Sequence, residues 1–184
     1  RTNKLNVGVL EGTTFLNSYI VIDTLGRGSF GKVKLCLSIE DDSLYAVKVV
    51  DKRLIKQVAK ARHMNKRFGN MKAATSHGNA GRPSGTGDHL EDLRREVDIM
   101  RALSHPNLVK LYEVIDDKVS GKILMVVEFC EAGALVSPGQ LTPERRMPEA
   151  IAQFYFRQMV SGIAYLHENS VIHGDMKPEN VLLA

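Results

Sequence analysis

Three short apolar runs near the start of the chain, each bounded by turn residues, have the length and composition of strands. Tyr19-Ile20-Val21-Ile22 opens the first, Val33 to Ile39 forms the second, and Leu44 to Val50 forms a third that is rich in β-branched residues. Glycines separate the first two and Asp41-Asp42-Ser43 separates the next two, so the connections are tight turns and the neighbours antiparallel. Residues 1–18 read as a polar lead-in. The pattern then changes. Leu90, Leu93, Val97 and Met100 recur at the three- and four-residue spacing of a helix face. Asp88 and Glu91 are placed as its capping box, and Pro106 lies beyond its end. Leu108 to Ile115 and Lys122 to Phe129 read as a second strand pair, and residues 130–147 as an irregular connection. From Pro148 onward, Ile151, Phe154, Tyr155, Met159, Ile163 and Leu166 mark a long helix with apolar residues on more than one face. The pattern predicts an α+β fold, an antiparallel sheet with one helix followed by a helical part.

Between the third strand and the first helix the pattern fails. Residues 57–89 are basic, carry Gly78, Gly81, Gly85 and Gly87 close together, and show no apolar period. Such a stretch reads as a loop insertion suited to docking an acidic surface. It also explains the charge. The net +4 arises because residues 52–87 hold nine Lys and Arg and no Asp or Glu, while the remainder holds 16 basic and 21 acidic residues. Phe68 is the one aromatic residue in that basic stretch, which leaves no stacking platform for nucleic acid. No apolar run approaches the roughly 20 residues of a membrane span, and no signal pattern opens the chain. Cys36 and Cys130 lack metal-ligand spacing and read as small apolar residues in a reducing compartment. Neither nucleic acid nor membrane is therefore an expected partner, and the cytoplasm is the expected location, with the nucleus also open.

Chemistry concentrates at a few points. Gly26-x-Gly28-x-x-Gly31-x-Val33 is shared by dinucleotide folds, in which the glycines open a helix. Here alternating β-branched residues follow, so the glycines form a hairpin tip whose N–H groups can approach phosphates. A plain tight turn is the rival reading. Lys48 lies within the third strand, where an ammonium needs a partner, and Glu96 on the next helix is the candidate. Alone, each would pass as a surface charge. The third point is His173-Gly174-Asp175-Met176-Lys177-Pro178-Glu179-Asn180, followed by the apolar Val181-Leu182-Leu183. A carboxylate can accept a hydroxyl proton, a Lys two residues later can neutralise a moving phosphoryl group, and an amide five residues later can hold a metal ion.

Taken in this order, the motifs from about Tyr19 to the end resemble the eukaryotic protein kinases. The resemblance implies a small lobe over 19–129, and a hinge with the start of a large lobe over 130–184. It implies ATP and Mg²⁺ as cofactors, with Leu25, Gly26, Arg27, Gly28, Ser29, Phe30, Gly31, Lys32 and Val33 forming the nucleotide loop. Lys48 would hold the α/β-phosphates and pair with Glu96. Asp175 would be the catalytic base, Lys177 would touch the γ-phosphate, and Asn180 would bind magnesium. Adenine would lie between Leu25, Val33 and Ala46 above and Leu182 below, with Val127 behind it and the backbone of Glu128 and Cys130 on the base edge. Met100, Leu111 and His173 match stacked positions linking the lobes.

Asp-x-Lys-Pro-x-Asn is similar to serine/threonine kinases. The basic insert, Glu113-Val114-Ile115-Asp116-Asp117 and Ala152-Gln153-Phe154-Tyr155-Phe156 together resemble the calcium/calmodulin-dependent protein kinase kinases and their plant and algal relatives. That resemblance implies a protein substrate, the activation loop of an AMP-activated-type energy-sensing kinase, and a calmodulin-like regulator bound outside these residues. Two departures stand out. Gly174 replaces the Arg of many kinases, and the sequence ends before an Asp-Phe-Gly motif. The 184 residues alone are thus expected to be a piece of a longer protein and catalytically silent. A pseudokinase or scaffold is the alternative reading, disfavoured by the presence of Lys48, Glu96, Asp175, Lys177 and Asn180 together.

Overall fold

The computed structural model describes residues 4–28, 31–57, 89–136 and 147–184. Among these, strands β1 (Val7–Leu10), β2 (Thr13–Leu16), β3 (Tyr19–Gly28), β4 (Gly31–Ser38), β5 (Leu44–Asp51), β6 (Leu111–Asp117) and β7 (Lys122–Glu128) form one antiparallel sheet. Their order is β1-β2-β3-β4-β5-β7-β6. Helix α1 (His89–Ala102) lies between β5 and β6, and α2 (Glu149–Glu168) follows the sheet. The α+β architecture and the antiparallel pairing are as the sequence pattern implies. The loop insertion expected over 57–89 falls almost wholly outside the described residues, as does Asp88, the expected cap of α1.

The reading of residues 1–18 as a lead-in is corrected. They contain a β-hairpin that adds two strands to the sheet, with Val7 opposite Leu16 and Leu10 opposite Thr13. Its two-residue turn places both Glu11 (φ 48°) and Gly12 (φ 82°) in the left-handed region, the twist that matches flanking strands. Leu5 and Leu16 are buried in a core cluster with Cys36, Val47, Ile115, Leu124 and Val126. This cluster contains residues from both β2 and β6, so the sheet curls. Tyr19 on β3 donates a hydrogen bond to Glu113 Oε2 on β6 at 2.9 Å, tying strands that are not neighbours.

The opposite face packs on α1. Leu93 and Val97 of the helix meet Val50, Val114, Ile123 and Met125, with Leu90, Leu111 and Val127 at the margin. This is the helix face marked by the spacing of Leu90, Leu93 and Val97. Strand β6 begins three residues later than the apolar run suggests, because Leu108 N–H closes a turn on the His105 carbonyl. Among the described residues, no helix is long and apolar enough to cross a membrane. Cys36 is buried and free, and burial pushes its thiol up to about 11. Cys130 is half-buried and free, and is also pushed up, by burial first and by Glu128 second.

Candidate active site

Strand register sets the upper part of the site. Val33 pairs with Gly26 on one side and Lys48 on the other, and Lys48 pairs with Met125. In the next row Leu35 pairs with Ala46, and Ala46 with Val127. Directly paired residues of antiparallel strands share a face, so Val33, Ala46, Lys48 and Val127 lie on the α1 side. Leu25 remains exposed. Gly28 pairs with Gly31 and Arg27 with Lys32, which puts the glycines at a hairpin end as expected; Ser29 and Phe30 lie outside the described residues. The glycines differ in purpose. A Cβ on Gly26 would meet nothing within 4 Å, whereas one on Gly31 would lie 1.9 Å from the Val49 carbonyl oxygen. Gly26 thus leaves open space of the kind a phosphate chain needs, while Gly31 is required by the backbone of β5.

Lys48 Nζ lies 3.2 Å from Glu96 Oε1, and the two side chains are 44% and 50% exposed. The strand lysine and the helix carboxylate are therefore brought together as expected. At this exposure the pair adds little to stability, but it aims an ammonium at the face lined by Val33 and Ala46.

The lower part is a short loop after α2. Lys177 Nζ donates to Asp175 Oδ2 at 2.9 Å. Asn180 Nδ2 donates to the Asp175 carbonyl at 2.7 Å and to Asp175 Oδ2 at 3.0 Å. Pro178 opens a single 3-10 turn, Pro178–Asn180, and its fixed φ suits that position. The turn carries Asn180 back over Asp175. The hydrogen bond from Lys177, then that from Asn180, holds the Asp175 carboxyl below the ordinary aspartate value, and Asp175 in turn raises Lys177. The carboxylate is exposed and ionised, with an ammonium beside it, so it can accept a hydroxyl proton next to a charge that attracts phosphate.

Strand β9 (Leu182–Leu183) pairs with β8 (Gly133–Ala134), Ala134 opposite Leu182 and Gly133 opposite Leu183. Leu135 N–H also donates to the Val181 carbonyl at 2.7 Å. The segment after the catalytic-type loop is thereby bound to the segment after β7, and Leu182 is positioned with its side chain exposed. Glu128 is clamped to the start of β6: its N–H donates to the Lys110 carbonyl, and its Oε2 accepts the Lys110 N–H at 3.2 Å. Cys130 accepts a hydrogen bond from Gly133 through its carbonyl.

One junction is not foreseen by the sequence, which gave its histidines no part outside the loop at 173. His105 stacks on Tyr165 of α2 with centroids 5.0 Å apart, and its Nε2 lies 3.3 Å from Ser161 Oγ. Asn107 Nδ2 donates to Gln158 Oε1 at 3.2 Å, and a Cβ on Gly162 would approach the Asn107 carbonyl to 2.9 Å. The turn after α1 is therefore seated on α2, which relates the Glu96 helix to the Asp175 loop. The usable signal was Gly162 in mid-helix, a residue that costs helix stability unless a neighbour comes close. A depression of about 600 Å³ behind α1, lined in part by Arg94, Arg95, Ile99 and Val171, touches none of these candidate residues.

Residues 80–184 match the family model for the protein kinase domain. The chain belongs to that family. It is 38% identical over 170 residues to the calcium/calmodulin-dependent protein kinase kinase of Caenorhabditis elegans, covering 92% of this chain and 29% of that protein. It is 37% identical over 183 residues to the serine/threonine-protein kinase GRIK2 of Arabidopsis thaliana, covering 99% of this chain and 39% of that protein. It is 30% identical over 168 residues to the serine/threonine-protein kinase STK11 of Rattus norvegicus, covering 91% and 32% respectively. The chain thus spans well under half the length of these relatives, two of them named as serine/threonine-protein kinases and one as a protein kinase kinase.

A kinase uses ATP and a divalent cation. The open space at Gly26 and the Lys48 ammonium fit a nucleotide. With its nitrogen engaged by Asp175, Asn180 can offer its carbonyl oxygen as a hard donor. Among the described residues no group of three His, Cys, Asp or Glu could hold a metal.

Proposed function

We propose that the protein transfers the γ-phosphoryl group of ATP to a serine or threonine hydroxyl of another protein. The observation that carries this reading is Asp175 held by both Lys177 and Asn180, in a chain that also pairs Lys48 with Glu96. Bound magnesium would supply positive charge that partly neutralises the phosphates, and Asn180 would help to hold it through its side-chain oxygen. The α/β-phosphates lie against Lys48, whose position Glu96 maintains. Adenine occupies the space framed by Leu25, Val33, Ala46, Val127 and Leu182, with its edge toward the backbone of Glu128 and Cys130. Asp175 accepts the hydroxyl proton as the oxygen bonds to the γ-phosphorus and the bond to the ADP oxygen breaks. Lys177, paired with Asp175 at rest, turns to the transferred group. In this reading the nucleotide lobe includes the β1–β2 hairpin and runs to Phe129, and the hinge and catalytic lobe begin at Cys130.

The finer reading is a kinase whose substrate is the activation loop of another kinase, of the AMP-activated energy-sensing type, working in the cytoplasm. Its support is the identity of 36–38% to a calcium/calmodulin-dependent protein kinase kinase and to GRIK1 and GRIK2 over at least 92% of the chain. A calmodulin-like regulator would bind outside these residues. The test uses the full-length protein with Mg-ATP and a catalytically dead energy-sensing kinase as substrate. Phosphate on the activation-loop threonine, lost when that threonine is changed to alanine, is expected. Phosphorylation of generic serine peptides without that threonine would retain the kinase and remove the finer reading.

A further inference from the structure

The outer edge of β1 has no neighbour among the described residues, and β1 stands at the end of the sheet order. Val7, Val9 and Leu10 are 55%, 70% and 66% exposed, and residues 5–10 carry no charge. Natural edge strands are usually blunted by Lys, Pro, a bulge or a cover. Among the described residues β1 shows none of these. Backbone direction sharpens the point. Asn17 N–H donates to the Asn6 carbonyl, so the peptide groups of even-numbered residues face β2. Those of Val7 and Val9 therefore face outward, unpaired in the sheet.

We propose that this edge pairs with the β1 edge of a second copy of the chain, antiparallel and about a two-fold axis. Outward-facing residues must oppose outward-facing residues, so a register centred on the strand places Val7 opposite Val9 of the other copy and Gly8 opposite its own symmetry mate. Each Val7–Val9 pair exchanges two hydrogen bonds and sets β-branched side chains against each other. Gly8 stands at the axis as a non-hydrogen-bonded pair, the closer of the two spacings, and a Cβ there meets nothing within 4 Å. The pairing is also charge-complementary, because it lays the Lys4 end of one copy beside the Glu11 end of the other. A four-residue strand makes a small contact, so the association is reversible and concentration-dependent.

The test is sedimentation of the full-length protein over a dilution series, with Val9→Pro as the variant. Val9→Pro removes an outward donor and leaves the β1–β2 ladder intact. The expected result is a weight-average mass that rises toward twice the monomer with concentration and stays monomeric for Val9→Pro. A second variant reads the register directly. In a non-hydrogen-bonded antiparallel pair the Cα atoms lie about 4.5 Å apart, within disulfide range. Gly8→Cys is therefore expected to cross-link to itself under mild oxidation, and Leu10→Cys, which faces Asn6 of the other copy, is not. A wild-type protein that remains monomeric throughout would overturn the proposal. So would association unchanged by Val9→Pro, or cross-linking equal at positions 8 and 10.

Discussion

Lys48 and Glu96, 48 residues apart and on different elements, meet at 3.2 Å across the face that carries Val33 and Ala46. Because both side chains are near half exposed, the pair should contribute about 0–1 kcal/mol to folding. The importance proposed for it is to catalysis. Lys48→Met in the full-length protein is expected to lower turnover by about 10²–10³, the usual effect of removing one preorganised charge contact. Glu96→Gln should cost nearly as much, and the double variant little more than either, since the two act as a unit. Thermal melts of all three should nearly overlay that of the wild type. Additive losses would show that the residues act separately.

The β1–β2 hairpin belongs to the folded core. Leu16 is buried with Val47, Leu124 and Val126. Leu16→Ala is expected to destabilise the protein by about 2–5 kcal/mol, as for other large-to-small core changes. Urea denaturation gives the value, and a loss comparable to an exposed substitution would return residues 1–18 to the status of a tail.

Gly174 adopts φ 74°, a region where an L side chain is strained. Gly174→Ala should therefore cost about 1–2 kcal/mol. An arginine, the residue many kinases carry here, would be strained as well as available to a phosphate. Glycine cannot make that ion pair, so turnover of the full-length protein should survive phosphatase treatment. A fall of about tenfold or more, or 1.4 kcal/mol, would show that a phosphate on the protein is required.

The Asp175 carboxyl is held below its ordinary value, chiefly by the hydrogen bond from Lys177. A depressed value means that the ionised form persists to lower pH. The acidic limb of kcat/KM should accordingly lie below the ordinary aspartate range near 3.9, and Lys177→Met should move that limb upward. Measuring kcat/KM for both proteins across the acidic range checks the sign; a limb that stays put would mean that another group controls it.

Much of this is legible in the amino-acid sequence. Strands β3 to β5 follow from apolar, β-branched runs between turn residues, helices α1 and α2 follow from helical period, and the pairing of Lys48 with Glu96 follows from an ammonium in a strand needing a carboxylate. The β1–β2 hairpin was not read, because Val7–Leu10 is exposed throughout and so shows no clean alternation. Glu11-Gly12 was its one local sign. The Tyr19–Glu113 bond spans 94 residues and depends on sheet curl, which no window of sequence contains. The seating of His105 and Asn107 on α2 is missed for the same reason.

The most direct test of phosphoryl transfer is a comparison of the full-length protein with its Asp175→Asn variant, measuring ATP affinity and single-turnover transfer to a Ser/Thr peptide together. Asparagine preserves the shape that Lys177 and Asn180 surround and removes the proton acceptor. The expected result is nearly unchanged ATP binding with transfer slowed by about 10²–10⁴, the range for a lost general base. Transfer at the wild-type rate, with ATP bound equally well, would contradict the role given to Asp175.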